Sequence, residues 1–155
     1  SRDFQTGIIY NTVVRRIRVV IDTNVFVSAL RSRRGASFKL LSMVGSEAFE
    51  ICVSVALVLE YESLAKRQAR AMGLDAGAID DILDYVCKVA QRRDIFYLWR
   101  PFLKDPNDDF VLELAVESES QYIVTWNERD FAGIESFGVK TLNPKEFLRL
   151  LGEIE

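Results

Sequence analysis

Acidic side chains follow the predicted strands of this 155-residue chain at the points where those strands end. Asp22 comes directly after the apolar run Ile17–Ile21, and Asp130 follows the predicted strand Tyr122–Thr125 by five residues. Further acids lie where the loop after another predicted strand meets a helix, namely Asp105, Asp108 and Asp109. Ligands of parallel sheets bind outside the carboxyl ends of strands, where the strand order reverses, so we expect these carboxylates to converge there, apart from Asp105, which is interpreted as a helix cap beside Pro106.

Glu60 is a candidate for a different reason, because it lies on the apolar face of a predicted helix. Leu57 and Leu64 are its neighbours at helical spacing, and no cation lies three or four residues away. By contrast, Glu62 precedes Lys66 by four residues, which is the favourable order for an ordinary surface ion pair. An acid without a local partner on an apolar face is therefore interpreted as part of the same site.

The absence of histidine narrows the chemistry that these acids can perform. It excludes Ser–His and Cys–His nucleophilic machinery and histidine-ligated zinc. Carboxylates about 4 Å apart repel by about 4 kcal/mol per pair at an effective dielectric of about 20, and a raised pKa or a bound cation relieves that repulsion. Oxygen ligands favour Mg²⁺ or Mn²⁺, which activate water and stabilise displacement at phosphorus. The residues alone predict a metal-dependent phosphodiester or phosphate hydrolase.

The elements that must position these acids alternate between strands and helices, which predicts one α/β domain with a mostly parallel central sheet. The predicted strands are Ile17–Ile21, Phe49–Val53, Ile95–Trp99, Tyr122–Thr125 and Val139–Leu142. The predicted helices run from the cap Asp22 to about Leu30, over Ala36–Val44, from about Val55 to Met72, over Ile79–Ala90, from Asp105-Pro106 onward, and over Pro144–Leu151. The domain is expected over residues 17–151. Residues 1–16 are expected to be a separate N-terminal segment, flexible or partly foreign to the domain, because the chain begins with Ser1 rather than Met.

Composition and charge are those of a globular protein without a general affinity for polyanions. The net charge is −3, so a global basic footprint for nucleic acid is absent, although a local basic patch remains possible. Cys52 and Cys87 form no metal-binding pair and are expected to be reduced core residues. No apolar run approaches the roughly 18 residues of a membrane span, so a cytoplasmic location without membrane partners is expected.

Five motifs, in order, resemble a PIN domain (PilT N-terminus). They are VVIDTNVFVSAL, the acid in LVLEYESL, DPNDDFVLELA, YIVTWNERDF and LNPKEFL, and together they cover about residues 17–150. The closest resemblance is to the bacterial branch of toxins in toxin–antitoxin pairs, the relatives of VapC-type ribonucleases. It implies a compact α/β/α sandwich, a Mg²⁺- or Mn²⁺-dependent nuclease active on single-stranded RNA, and three or four acids in one pocket.

Carried over by position, the resemblance assigns catalytic and metal-binding roles to Asp22, Glu60 and Asp108. Asn127 stands where the family usually has its fourth acid, and Asp130, one helical turn later, is the expected replacement. Asp109 stands where many relatives carry Asn, and it is expected to contact the metal from outside the ligand shell.

The remaining polar and basic candidates surround these acids in the sequence. Side chains expected to orient the carboxylates are Thr23, Asn24, Thr125 and Asn127, although Asn127 could equally hold its loop. Candidate RNA contacts are Arg31, Arg33, Arg34 and the base-stacking Trp126. The arginines could also be an exposed turn that favours a helix C-terminus.

The favoured hypothesis is a metal-dependent endoribonuclease that cleaves single-stranded RNA as the toxin of a toxin–antitoxin pair. An antitoxin protein is the expected partner, and a homodimer is possible. The first alternative is a catalytically weak PIN-like module that binds RNA or protein, which Asn127 favours. The second is a phosphatase or DNA flap nuclease built on the same acids, although the chain is short for the elements that hold duplex DNA.

Overall fold

The computed structural model describes residues 16–95, 102–105 and 108–155. Five strands, all paired in parallel, form the sheet: β1 (Ile17–Ile21), β2 (Phe49–Val53), β3 (Gln91–Arg92), β4 (Tyr122–Val124) and β5 (Lys140–Leu142). The helices of the described residues are α1 (Thr23–Arg31), α2 (Ala36–Ser42), α3 (Val55–Gln68), α4 (Ala76–Val89), α5 (Asp109–Glu117) and α6 (Pro144–Leu150). The predicted α/β class with a parallel central sheet is confirmed.

The strand order is β3-β2-β1-β4-β5, which places β1 in the centre of the sheet. The chain builds outward from β1 through β2 to β3, and then returns to pair β4 on the other side of β1. The order therefore reverses between β1 and β4. At such a switch point the loops after the two strands diverge and leave a crevice, which is where open α/β sheets bind ligands.

Buried apolar residues hold the central strands and the helices together. Val19, Val20 and Ile123 are fully buried in β1 and β4, as expected for strands covered on both faces. Phe26 of α1 stacks on Tyr61 of α3 with ring centroids 4.5 Å apart, and this contact joins two helices that begin beside the switch point. α5 packs against β1, β2 and β4, so it completes the cover of the central strands.

Side-chain caps fix where several helices begin. Asp22, Ser54 and Asp75 cap α1, α3 and α4, and each accepts a hydrogen bond from a backbone N–H of the first turn. Asn143 and Glu146 form a reciprocal capping box at α6, with Pro144 in the first turn. Asp22 was predicted as such a cap, and its position fixes the start of α1 directly after β1.

The third strand differs from the prediction. The structure places it at Gln91–Arg92, where it pairs with Cys52 and Val53 of β2. Ile95 lies outside any strand, and the rest of the predicted strand, residues 96–99, lies outside the described residues. A two-residue edge strand needs no apolar pattern, so the sequence of Gln91–Arg92 does not predict this strand.

Several helix boundaries also differ. α3 ends at Gln68 rather than Met72, because Gly73 with its positive φ of 72° belongs to a turn that already begins at Ala69. α5 begins at Asp109, with Asp108 as the residue before it, rather than at Asp105-Pro106. Pro106 and residues 1–15, which include most of the predicted N-terminal segment, lie outside the described residues.

Cys52 is buried in the core, as predicted, whereas Cys87 is only half-buried and lies outside the core cluster; both thiols are free. Across the described residues, none of the helices combines the length and hydropathy needed to cross a membrane.

Candidate active site

Asp22 lies at the switch point, directly after β1, and is 7% exposed. Its Oδ1 accepts a hydrogen bond from the backbone N–H of Thr23 at 2.9 Å. Its Oδ2 accepts from Thr125 Oγ1 at 2.8 Å and from Asn24 Nδ2 at 3.2 Å. Thr125 directly follows β4, so donors from both sides of the strand reversal fix this one carboxylate.

Burial raises the pKa of Asp22 above its usual range. The hydrogen bonds from Thr125 and Thr23 oppose this rise, and the negative charges of Glu60 and Asp130 add to it. The ionised form of Asp22 is therefore held by neutral donors rather than by a basic partner. A positive charge at this position would relieve the penalty.

Glu60 reaches the same place from α3. Its carboxylate accepts a hydrogen bond from the hydroxyl of Thr23, the residue after Asp22. The next residue, Tyr61, donates its hydroxyl hydrogen bond to the backbone carbonyl of Ile21, the last residue of β1. Burial, followed by the charges of Asp22 and Glu60, raises the pKa of Tyr61 well above its usual range, so the hydroxyl keeps the proton that it donates.

Asp108 is the residue before α5, and its side chain makes no capping hydrogen bond. Burial, followed by the charges of Asp22, Asp105, Asp130 and Glu60 in that order, raises its pKa from 3.8 to about 7. Each of these influences disfavours the ionised form. The negative fields of the other three predicted acids, and that of Asp105, therefore overlap at Asp108.

Asp130 lies on a single 3-10 turn, Glu128–Phe131, that follows β4. Phe131 is 1% exposed and anchors this turn in the core, while the Asp130 side chain is half-buried. Its charge acts on both Asp22 and Asp108. The structure thus places the expected replacement for the fourth acid within the electrostatic reach of the others.

Asn127 and Trp126 form the loop between β4 and that turn. The backbone N–H of Asn127 donates to Thr125 Oγ1 at 3.0 Å, and that of Trp126 donates to Asn24 Oδ1 at 3.0 Å. The indole N–H of Trp126 donates to Ser37 Oγ of α2 at 2.8 Å, while 39% of the residue remains exposed. Asn127 is exposed. Asn24 and Thr125 therefore hold this loop and Asp22 in one hydrogen-bond network.

The other predicted residues lie further from this network. Asp109 is buried, and its Oδ1 accepts from the backbone N–H groups of Phe102 at 3.2 Å and Leu103 at 2.9 Å. Its Oδ2 is buried and has no hydrogen-bond donor among the described residues. Arg31 donates to Gln68 Oε1 of α3 at 2.6 Å. The expected metal contact of Asp109 and RNA contact of Arg31 remain predictions.

The donor chemistry suits a hard divalent cation, because every candidate ligand is a carboxylate oxygen and no cation of the described residues offsets the charges that act on Asp108. In the described parts of the chain, no three acidic or cysteine side chains converge closely enough to hold a metal ion as they stand. The acids act on one another electrostatically, but their oxygens do not meet at one point where they could coordinate a metal ion. Filling such a site would require these side chains to move toward the cation.

Two site residues were missed by the sequence reasoning, namely Ser37 and Tyr61. Each makes its contact across the fold, with Trp126 and with the carbonyl of Ile21. The helical apolar pattern of α3 explains why Tyr61 is buried, but no sequence signal shows which carbonyl its hydroxyl would meet. Ser37 positions the Trp126 ring, and Tyr61 fixes the middle of α3 against the end of β1.

The raised pKa of Asp108 predicts how the metal-free protein responds to pH. A folded-state pKa of about 7, against 3.8 for the unfolded chain, means that ionisation disfavours folding, so this contribution to stability is lost as pH rises from about 4 to about 7. Asp108→Asn is expected to raise the free energy of unfolding by about 1 kcal/mol at pH 8, discounted for solvent screening, and much less at pH 4. Urea unfolding in EDTA at both pH values measures this, and an equal effect at both would contradict it.

Comparison with known proteins agrees with the fold. A family model described as "PIN domain" matches residues 18–129. A PilT N-terminus domain protein from the hyperthermophilic archaeon Sulfolobus solfataricus P2 has a similar structure, with a TM-score of 0.52 and 15% sequence identity over 90% of this chain and 97% of that one. A search of curated proteins finds no significant match. At that identity the structural likeness supports the fold alone.

Proposed function

Because this chain belongs to the PIN domain family, whose members are generally nucleases, we propose that it is a metal-dependent endoribonuclease that cleaves single-stranded RNA. The observation that supports this best is the overlap of four carboxylate fields at Asp108, at the switch point of the sheet, with no compensating cation among the residues that the structure describes. Structural acids are usually paired with bases, whereas acids that perturb one another in a crevice are typical of functional sites.

Asp22, Glu60, Asp108 and Asp130 are the residues that would hold Mg²⁺ or Mn²⁺. The cation supplies a water of lowered pKa and offsets the charge of the phosphodiester. The chain's own groups do the positioning: Thr125 and Asn24 orient Asp22, and the Thr23 hydroxyl orients Glu60. No protein base is required, which fits a chain without histidine.

The substrate and cellular role are further parts of the proposal. The exposed face of Trp126 beside the acids offers a surface on which an unpaired base could stack, which favours a single strand. The motif resemblance to bacterial toxins supports a role as the toxin of a toxin–antitoxin pair in the cytoplasm, with a cognate antitoxin that blocks the acidic crevice and a possible homodimer.

Cleavage of labelled single-stranded RNAs in Mg²⁺ and in Mn²⁺ tests this proposal. The protein is expected to cut in either metal and to stop when EDTA is added. Glu60→Gln is expected to reduce the rate by about a hundredfold or more, because it removes one of the charges that attract the cation. Glu62→Gln is the matched control, since Glu62 lies on the same helix and pairs with Lys66 at 2.8 Å on the surface; its rate is expected to stay within about twofold of the wild type.

Equal cleavage by Glu60→Gln and Glu62→Gln would contradict the assigned site. Folded protein that binds RNA in EDTA but does not cut in either metal would support the second candidate, a binding module without turnover. Asn127, which stands where the family usually has an acid, favours that candidate.

A further inference from the structure

Five basic side chains line a cleft between the α1–α2 loop, α2 and α6. Its volume is about 500 Å³, and we call it the basic cleft; its cations are Arg33, Arg34, Lys39, Lys145 and Arg149. All five residues are exposed. They account for a quarter of the 20 lysines and arginines of a chain whose net charge is −3. Positive charge is therefore concentrated here rather than spread over the surface.

No acidic side chain of the described residues forms an ion pair with any of these five cations. Lys39 Nζ donates to the backbone carbonyl of Glu153 at 3.0 Å, and Arg149 Nε donates to that of Glu155 at 3.3 Å. Ion pairs of the described residues involve Arg16, Arg18 and Lys66, so the cleft cations are distinguished by their gathering around one cleft. Five like charges around one cleft repel one another, and an anion in the cleft would relieve that repulsion.

The basic cleft is joined to the acidic crevice through Trp126. The indole N–H of Trp126 donates to Ser37, two residues beyond Gly35 of the cleft, and its backbone N–H donates to Asn24, which also holds Asp22. α1 connects the two regions directly, since Asp22 caps its first turn and the cleft arginines follow its last. Nine helical residues span about 14 Å, the reach of a few nucleotides.

We infer that the basic cleft binds the backbone phosphates of the single-stranded RNA on one side of the scissile bond, with the Trp126 ring between cleft and crevice. This inference rests on the proposed nuclease function and names how that site holds its substrate. Guanidinium and ammonium groups contact phosphate without reading bases, so the cleft supplies affinity for any sequence. Continuity with the acids through Trp126 favours RNA over an acidic protein segment.

RNA binding in EDTA, where cleavage is blocked, tests the inference by fluorescence anisotropy of a labelled single strand. A triple variant, Lys39→Gln/Lys145→Gln/Arg149→Gln, is compared with the charge-matched control Arg70→Gln/Lys88→Gln/Lys140→Gln, which alters exposed cations outside the cleft. The cleft variant is expected to bind about tenfold or more weakly, equally for different sequences. Its slope of log affinity against log salt is expected to be shallower by about 2, since each single-strand phosphate contact contributes about 0.7.

Equal weakening by the two triple variants, or none by the cleft variant, overturns the inference. Polyglutamate is the competing ligand. If it binds the wild type more tightly than RNA does, and if this binding depends on the same three residues, the inference is overturned and the cleft is assigned to an acidic protein segment. Cleavage in Mn²⁺ separates this inference from the proposed function. If RNA binding depends on the cleft but the protein never cuts RNA, the inference about the cleft is supported and the proposed nuclease function is contradicted. If the protein cuts RNA but the cleft variant binds it normally, the nuclease function is supported and the inference about the cleft is contradicted.

Discussion

Asp22→Asn is expected to abolish RNA cleavage, with a rate at least about three orders of magnitude below the wild type, while the protein stays folded. Asp22 is the acid at the centre of the site, since donors from α1 and β4 hold it and it interacts with Glu60 and Asp130. Asparagine removes the charge that a cation needs and keeps nearly the same shape. Single-turnover cleavage at saturating RNA measures the effect.

The stability of this variant is expected to change little. Burial raises the pKa of Asp22, so its ionised form opposes folding at neutral pH, but the amide nitrogen of asparagine cannot accept the hydrogen bonds that Oδ2 accepts from Thr125 and Asn24. These two effects oppose each other, and the free energy of unfolding is expected to stay within about 1 kcal/mol of the wild type. Asparagine also remains a good helix cap. Asp75→Asn is the control, because Asp75 caps α4 through Ala78 N–H at 2.7 Å, is exposed and belongs to no acid cluster. Comparable cleavage by both variants would mean that Asp22 is merely a cap.

Tyr61→Ala is expected to have the largest effect on stability, lowering the free energy of unfolding by about 4 kcal/mol. The Tyr61 ring is 2% exposed and stacks on Phe26, and its hydroxyl donates to the carbonyl of Ile21. Its removal leaves a cavity between α1 and α3 and an unsatisfied carbonyl at the end of β1. Against a typical total of about 5–15 kcal/mol, this loss is large. Urea unfolding followed by circular dichroism measures it.

Tyr61→Phe separates the two contributions, because it keeps the ring and removes the hydroxyl. It is expected to lower the free energy of unfolding by about 1–2 kcal/mol. Tyr85→Ala is the matched control: Tyr85 also donates to a backbone carbonyl, that of Val44 at 3.1 Å, but the residue is 50% exposed. Its loss is expected to be about 1 kcal/mol. Similar losses for Tyr61→Ala and Tyr85→Ala would contradict the role of Tyr61 as the buried link between β1 and α3.

The parts of the fold that could be predicted from the sequence are those whose pattern is local. β1 and β2 were predicted to the residue, because a short apolar run bounded by polar residues is typical of a buried parallel strand. Asp22 was predicted as a cap because that chemistry is confined to one helical turn. The start of α6 could be predicted in the same way, because both of its start signals, the cap residue Asn143 and the first-turn Pro144, are adjacent in the sequence.

The parts that could not be predicted depend on contacts between distant segments. β3 is two residues long and forms because Gln91 and Arg92 pair with the edge of β2. Neither residue has a property that predicts this pairing. The hydroxyl of Tyr61 and the Ser37 partner of Trp126 are likewise specified by the packing of helices. Lys39 is more than 100 residues from Lys145 and Arg149 in the sequence, and the packing of α2 against α6 brings the three side chains together.

The measurement that tests the central claim most directly is a titration of the metal-free protein with Mn²⁺, followed by the electron paramagnetic resonance signal of the free ion. It reports whether the four acids form a cation site without requiring a substrate. The wild type and Asp75→Asn are predicted to bind one or two ions per chain, and Asp22→Asn is predicted to lose that binding at the same Mn²⁺ concentration. Mn²⁺ binding by Asp22→Asn as tight as that of the wild type, or no binding by folded wild type, would contradict the account.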